Sequence, residues 1–159
     1  SKGGIVIHSG VNDINTSRTW AQVEADLNAI KALTDPDGIK MFIDEILPWT
    51  NGDDTQAGTV RTFNANLLTW CNANGAILIR CHDALGKIRV STGELDDLQT
   101  SPDYDLDGVH LTQAGVDVLA QIQATALADY FEHLSRFPAL RHAPFKPGAS
   151  TFSFHGRSL

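Results

Sequence analysis

The chain has 159 residues, of which 42% are hydrophobic and 19% charged. These are proportions of an ordinary globular domain, able to bury roughly 68–70% of its unfolded surface. All 19 acidic residues lie in residues 1–134 with 8 of the 12 Lys/Arg, and an acidic body argues against nucleic acid as a partner.

No apolar run approaches the roughly 20 residues that span a bilayer. The first residues lack the pattern of a signal peptide, so the sequence indicates no membrane and no particular compartment. Because the chain starts at Ser1 rather than Met, a processed or excised piece is expected.

Ile5-Val6-Ile7-His8, after Gly3-Gly4 and ending at Gly10, is the first predicted strand. Thr16 or Ser17 is the expected cap of a helix in which Trp20, Val23, Leu27 and Ile30 recur at three- and four-residue steps. The turn cluster Asp35-Pro36-Asp37-Gly38 ends it. Residues 39–46 form a second strand, with a loop at Pro48 and 51–54. A helix from about Gln56 to Asn74 carries Val60, Phe63, Leu67 and Cys71 on one face and stops at Gly75, before a third strand over 76–81.

Residues 82–106 show no sustained period and read as a long loop, usually functional or flexible in a compact domain. Thr112 caps a last helix running to about Leu134, with Val118, Ile122 and Ala126 inward. Residues 135–159 carry four basic residues, no acidic one, and Pro138, Pro144 and Pro147, the mark of a solvated tail or linker. Within it, 150–155 alternates as a short edge strand does.

Alternating strands and helices with continuous apolar strands predict an α/β fold, a parallel sheet covered on both faces over residues 1–134. Ligand sites in such sheets lie at the carboxyl ends of the strands. Gly10-Val11-Asn12-Asp13 and His82-Asp83 fall at such ends, and the long loop delivers Asp107-Gly108-Val109-His110-Leu111 to the same edge. An aspartate three residues before a histidine can hold the ring and set its tautomer, leaving the far nitrogen as a base. His110 is therefore the candidate base and Asp107 its orienter. Asn12 is a candidate oxyanion donor, Gly10 permits close backbone approach, and Asp13 is a structural group bonding the turn.

The Gly10–Asp13 and Asp107–Leu111 blocks, in this order and at a strand end and a helix start, resemble two signature blocks of the SGNH, or GDSL-type, hydrolases. The resemblance spans residues 5 to about 130. It implies a three-layer flavodoxin-like domain, an asparagine donating to the oxyanion, and an Asp-His pair activating a serine. It further implies hydrolysis of esters, with acetyl esters on carbohydrate as the expected substrates, and no metal or organic cofactor.

The blocks that would carry the serine and an oxyanion glycine are not in their expected places. Ser1, Ser9 and Ser17 do not fit the nucleophile block. Ser158, in Gly156-Arg157-Ser158-Leu159, resembles it with arginine in place of aspartate, but no helix follows. The expectation is a carboxyl-terminal portion of a larger hydrolase, its sheet incomplete on the amino-terminal side. A second polypeptide fragment would complete the sheet and supply the serine.

Two other readings of the same residues stand. One is an inactive domain binding carbohydrate or protein through the same cleft. The other is a metal-dependent hydrolase using His8, His82, Asp83, Asp105, Asp107 and His110, although their spacing matches no ligand motif. Cys71 and Cys81 read as buried thiols rather than a disulfide. Trp20 and Trp70 read as partly buried core, and Trp49 as a loop residue able to line a substrate surface.

Overall fold

Parallel strands feeding amphipathic helices organise the molecule, for which the computed structural model describes residues 3–50, 54–88 and 95–136. The tail 137–159, with the predicted edge strand 150–155 and Ser158, lies outside the described residues, as does Ser1. Strands β1 (Gly4–Ile7), β2 (Lys40–Asp44) and β3 (Ile77–Ile79) form one sheet in the order β1-β2-β3. Every pairing is parallel, with Ile5 beside Met41, Ile7 beside Ile43 and Asp44 beside Ile79. This is the expected α/β architecture.

Alternation along the strands sorts side chains onto two faces. On one, Met41 and Ile43 join Leu27 of α2 (Trp20–Thr34) and Val60, Phe63, Leu67, Trp70 and Cys71 of α3 (Asp54–Asn74) in the main core. Ile5, Ile7 and Leu78 pack against that core. On the other, Phe42 meets Tyr130 edge-on at 5.5 Å between centroids, so α5 (Gln113–Arg136) covers this face. Trp70 also donates its indole N–H to Asn28 at 3.0 Å, which ties α3 to α2. Burial of this kind is worth roughly 1.5–3 kcal/mol for each large apolar side chain.

Three expectations are corrected. The cap of α2 is Thr19, not Thr16 or Ser17. Thr19 and Gln22 form a reciprocal capping box, with the Gln22 side chain accepting from the Thr19 N–H at 2.8 Å. Residues 11–15 are instead a short helix, α1 (Val11–Asn15), and Thr16 closes it by donating to the Asn12 carbonyl at 2.8 Å.

The segment 82–106 is not a featureless loop. It contains α4 (His82–Leu85) and an antiparallel hairpin of β4 (Gly86–Ile88) and β5 (Leu95–Thr100). With four and three residues, α4 and β4 are too short to show a hydrophobic period, and the six residues of β5, Leu95-Asp96-Asp97-Leu98-Gln99-Thr100, do not alternate apolar and polar.

Trp49 does not line a surface. It is 8% exposed and belongs to the main core with Ile14, Ile46 and Val60. Cys71 and Cys81 are free, buried thiols, and burial pushes the Cys71 thiol up to about 12. No described helix is long and apolar enough to cross a membrane.

Candidate active site

The site is assembled at the carboxyl ends of the strands. Beyond β1 the chain turns at Gly10, which has φ +120° and is buried against Ile46. A Cβ at Gly10 would lie 2.4 Å from Ile46 Cγ1, so neither the conformation nor the space admits a side chain. Ile46 is itself fixed from both sides by the Asn64 amide of α3. The Asn64 Oδ1 accepts from the Ile46 N–H at 2.8 Å, and the Asn64 Nδ2 donates to the Ile46 carbonyl at 3.0 Å. Asn12 thus sits exposed on the first turn of α1, above a pinned backbone. Asp13 serves the structure, accepting from Arg18 at 2.6 Å.

The other candidate residues lie in the loop 101–112. The hairpin holds its start: Thr100 donates its hydroxyl to the Pro48 carbonyl at 2.9 Å, and the Ser101 N–H donates to the Leu85 carbonyl at 2.8 Å. Tyr104 and Leu111 pack on Leu47, Cys81, Leu85 and Leu119, which places the loop over the exits of β2 and β3. Its end is held by Thr112, whose N–H donates to the Tyr104 carbonyl at 2.8 Å and whose hydroxyl donates to the Asp103 carbonyl at 2.9 Å. The Thr112 hydroxyl also accepts from the Gly115 N–H at 3.2 Å, the expected cap of α5.

At the tip, Gly108 adopts φ +87° and donates its N–H to Asp105 Oδ1 at 2.6 Å. Asp107 divides its two oxygens between backbone and ring. Oδ1 accepts from the N–H groups of Val109 and His110 at 3.1 and 2.8 Å, and Oδ2 meets His110 Nδ1 at 2.8 Å. The hydrogen bond from His110, followed by those two N–H groups, holds the Asp107 carboxyl down at about 2. An ionised carboxylate facing Nδ1 selects the tautomer with the proton on Nδ1. The His110 side chain is 73% exposed, and its Nε2 has no partner among the described residues.

Other predicted members of the edge have separate roles. His82 is buried at the start of α4, where its N–H donates to Glu45 Oε2 at 3.2 Å and its Nδ1 lies 3.4 Å from Asp83 Oδ1. His8 pairs with Asp44 rather than with the loop. Among the described residues, no group of three or more His, Cys, Asp or Glu side chains is arranged to hold a metal ion. Sequence reasoning missed Asn64, Asp44 and Gln123, and it read Asp105 as a possible metal ligand where it instead holds the Gly108 turn. Asp105 carried a local signal for that turn, as an Asx-type residue three before a glycine, whereas the other three carried none.

No protein-family model and no curated protein matches the chain. Solved structures do. A GDSL-like lipase from Bacteroides thetaiotaomicron superposes with a TM-score of 0.67 at 20% identity, over 79% of this chain and 62% of its own. A carbohydrate esterase of family 3 from Talaromyces cellulolyticus gives 0.60 at 16% identity, over 82% and 59%. The OSK domain of Drosophila Oskar gives 0.58 at 18%, over 80% and 63%. The chain therefore spans about three fifths of the length of these structures. What it shares with them is the SGNH-type α/β fold, the fold of the lipase and the esterase.

Proposed function

We propose that the chain carries the base and one oxyanion donor of an SGNH-type serine esterase, the serine residing on another segment or a second polypeptide. The observation that supports this best is the Asp107–His110 pair. Its carboxylate is locked by backbone N–H groups, its ring is oriented at 2.8 Å, and Nε2 is open to solvent.

In the proposed reaction the serine Oγ attacks the ester carbonyl carbon while His110 Nε2 takes the hydroxyl proton. The carbonyl electron pair moves onto oxygen, and the Asn12 amide donates to that oxyanion. Collapse expels the alcohol, which recovers the proton from Nε2 and leaves an acyl-serine. Water then repeats the sequence to release the acid. Asp107 remains ionised throughout and stabilises the imidazolium.

β1 lies at the edge of the described sheet and pairs there only with β2, which gives a completing segment a row of backbone groups to bind. Acetylated carbohydrate is the proposed substrate class, supported by the name of the family 3 carbohydrate esterase that shares the fold.

The test is labelling of the purified protein, with any accompanying polypeptide, by a fluorophosphonate, read by intact mass. A serine adduct on either chain together with ester turnover is the expected result. Bound ester with no adduct and no turnover would replace this reading with a binding domain, and turnover lost on chelation without an adduct would replace it with a metal-dependent hydrolase. In the active assembly, Asn12→Ala is expected to lower kcat on the order of 10²–10³-fold with little change in KM. A change confined to KM would remove the oxyanion role.

A further inference from the structure

A second histidine–carboxylate cluster lies beneath the site. Asp44 closes β2, and its side chain is completely shielded from solvent. Its Oδ2 accepts from His8 Nδ1 at 2.9 Å and from Gln123 Nε2 at 2.6 Å. Its Oδ1 is buried with no partner among the described residues. A buried carboxylate with a bare oxygen is costly. Phe42, two residues earlier and on the same face, shows that an apolar side chain fits under α5.

What the carboxylate joins accounts for its presence. His8 is two residues before Gly10, so its anchorage sets the direction in which β1 leaves the sheet toward Asn12. Gln123 is on α5, the helix that starts immediately after the His110 loop and is capped by Thr112. Both donors converge on one oxygen atom, so a shift of either moves the acceptor used by the other.

We infer that Asp44 is a positioning residue that couples the Asn12 turn to the His110 loop, by holding His8 and Gln123 on one carboxylate oxygen. This inference rests on reading Asn12 and His110 as parts of one site. Its test reads geometry and not turnover, so it can fail while the esterase reading stands, and the reverse.

The test is amide hydrogen exchange by NMR on the chain as it is. The Ile14 and Thr16 N–H groups bond to the Gly10 and Asn12 carbonyls and report the turn. Those of Leu106 and Val116 bond to the His110 and Thr112 carbonyls and report the loop.

Gln123→Leu is expected to speed exchange at Ile14 and Thr16 roughly tenfold, although Gln123 lies on another element. His8→Leu, at an exposed position with little risk to folding, should do the same at Leu106 and Val116. His8→Asn keeps a donor at the Nδ1 position and should exchange as the wild type. Acceleration confined to the substituted end, equal acceleration across α2 and α3 as well, or no rescue by His8→Asn would each overturn the inference.

Discussion

His110→Ala is expected to reduce ester turnover on the order of 10⁴–10⁶-fold in the serine-bearing assembly, because no other described group stands ready to take the nucleophile's proton. The fold should be unaffected. The ring is largely exposed and its one hydrogen bond among the described residues is to Asp107, so the change in stability should stay within about 0.5 kcal/mol. Circular dichroism and a melting curve check the fold, and initial rates on an acetyl ester check the chemistry. Turnover within about tenfold of the wild type would remove His110 as the base, since general base catalysis contributes more than that.

Asp107→Asn is expected to cost on the order of 10⁴-fold in kcat, by the tautomer argument. Asp107 Oδ1 is engaged by the Val109 and His110 N–H groups, so the amide oxygen of the variant keeps that place and its NH₂ faces the ring. A donor facing Nδ1 forces the proton onto Nε2, where the base must be empty. The local turn survives while the chemistry stops. Wild-type kcat in Asp107→Asn would show that the carboxylate does not set the tautomer.

The same hydrogen bonds determine how this pair responds to acid. The folded Asp107 carboxyl is depressed from 3.8 to about 2. A depressed carboxyl contributes stability that is present above its unfolded value and lost as pH falls through its folded value. That window runs from about 4 down to about 2. Loss of turnover between pH 8 and pH 4 therefore does not arise from protonation of Asp107. Carboxyl ¹³C titration should place its midpoint near 2, and a midpoint near 4 would mean that the hydrogen bonds to Val109 and His110 are not kept in solution.

The exposed Asp107–His110 pair and the buried Asp44 illustrate two uses of a carboxylate. Asp107 sits at the rim, where solvent and backbone N–H groups share its solvation, and its ring partner is largely exposed. Asp44 is sealed under α5 and, among the described residues, its side chain bonds His8 and Gln123 alone, an arrangement that suits fixed geometry. The 101–112 loop is similarly built from fixed parts. Pro48 anchors the β5 end from which it starts, α4 holds Ser101, and the first turn of α5 holds Thr112, each by a named hydrogen bond.

Local chemistry made much of this legible in the sequence. Periodic apolar residues announced α2, α3 and α5, because one-sided burial imposes a repeat of 3.6, and unbroken apolar runs announced the three strands of a sheet covered on both faces. The Asp107–His110 pairing was legible for a similar reason, since a carboxylate three residues before a histidine can reach both its backbone and its ring within one turn. The short α4 and β4 and the non-alternating β5 offer no repeat to read, and Thr19 displaces Thr16 as the cap because α1 uses the residues before it.

Only the tertiary structure decided which distant residues meet. Asn64 pins Ile46 from 18 residues away, Gln123 reaches Asp44 across 79, and Trp49 turns inward rather than toward a ligand. Contacts of that separation depend on how the sheet and helices stack, and no spacing along the chain encodes them.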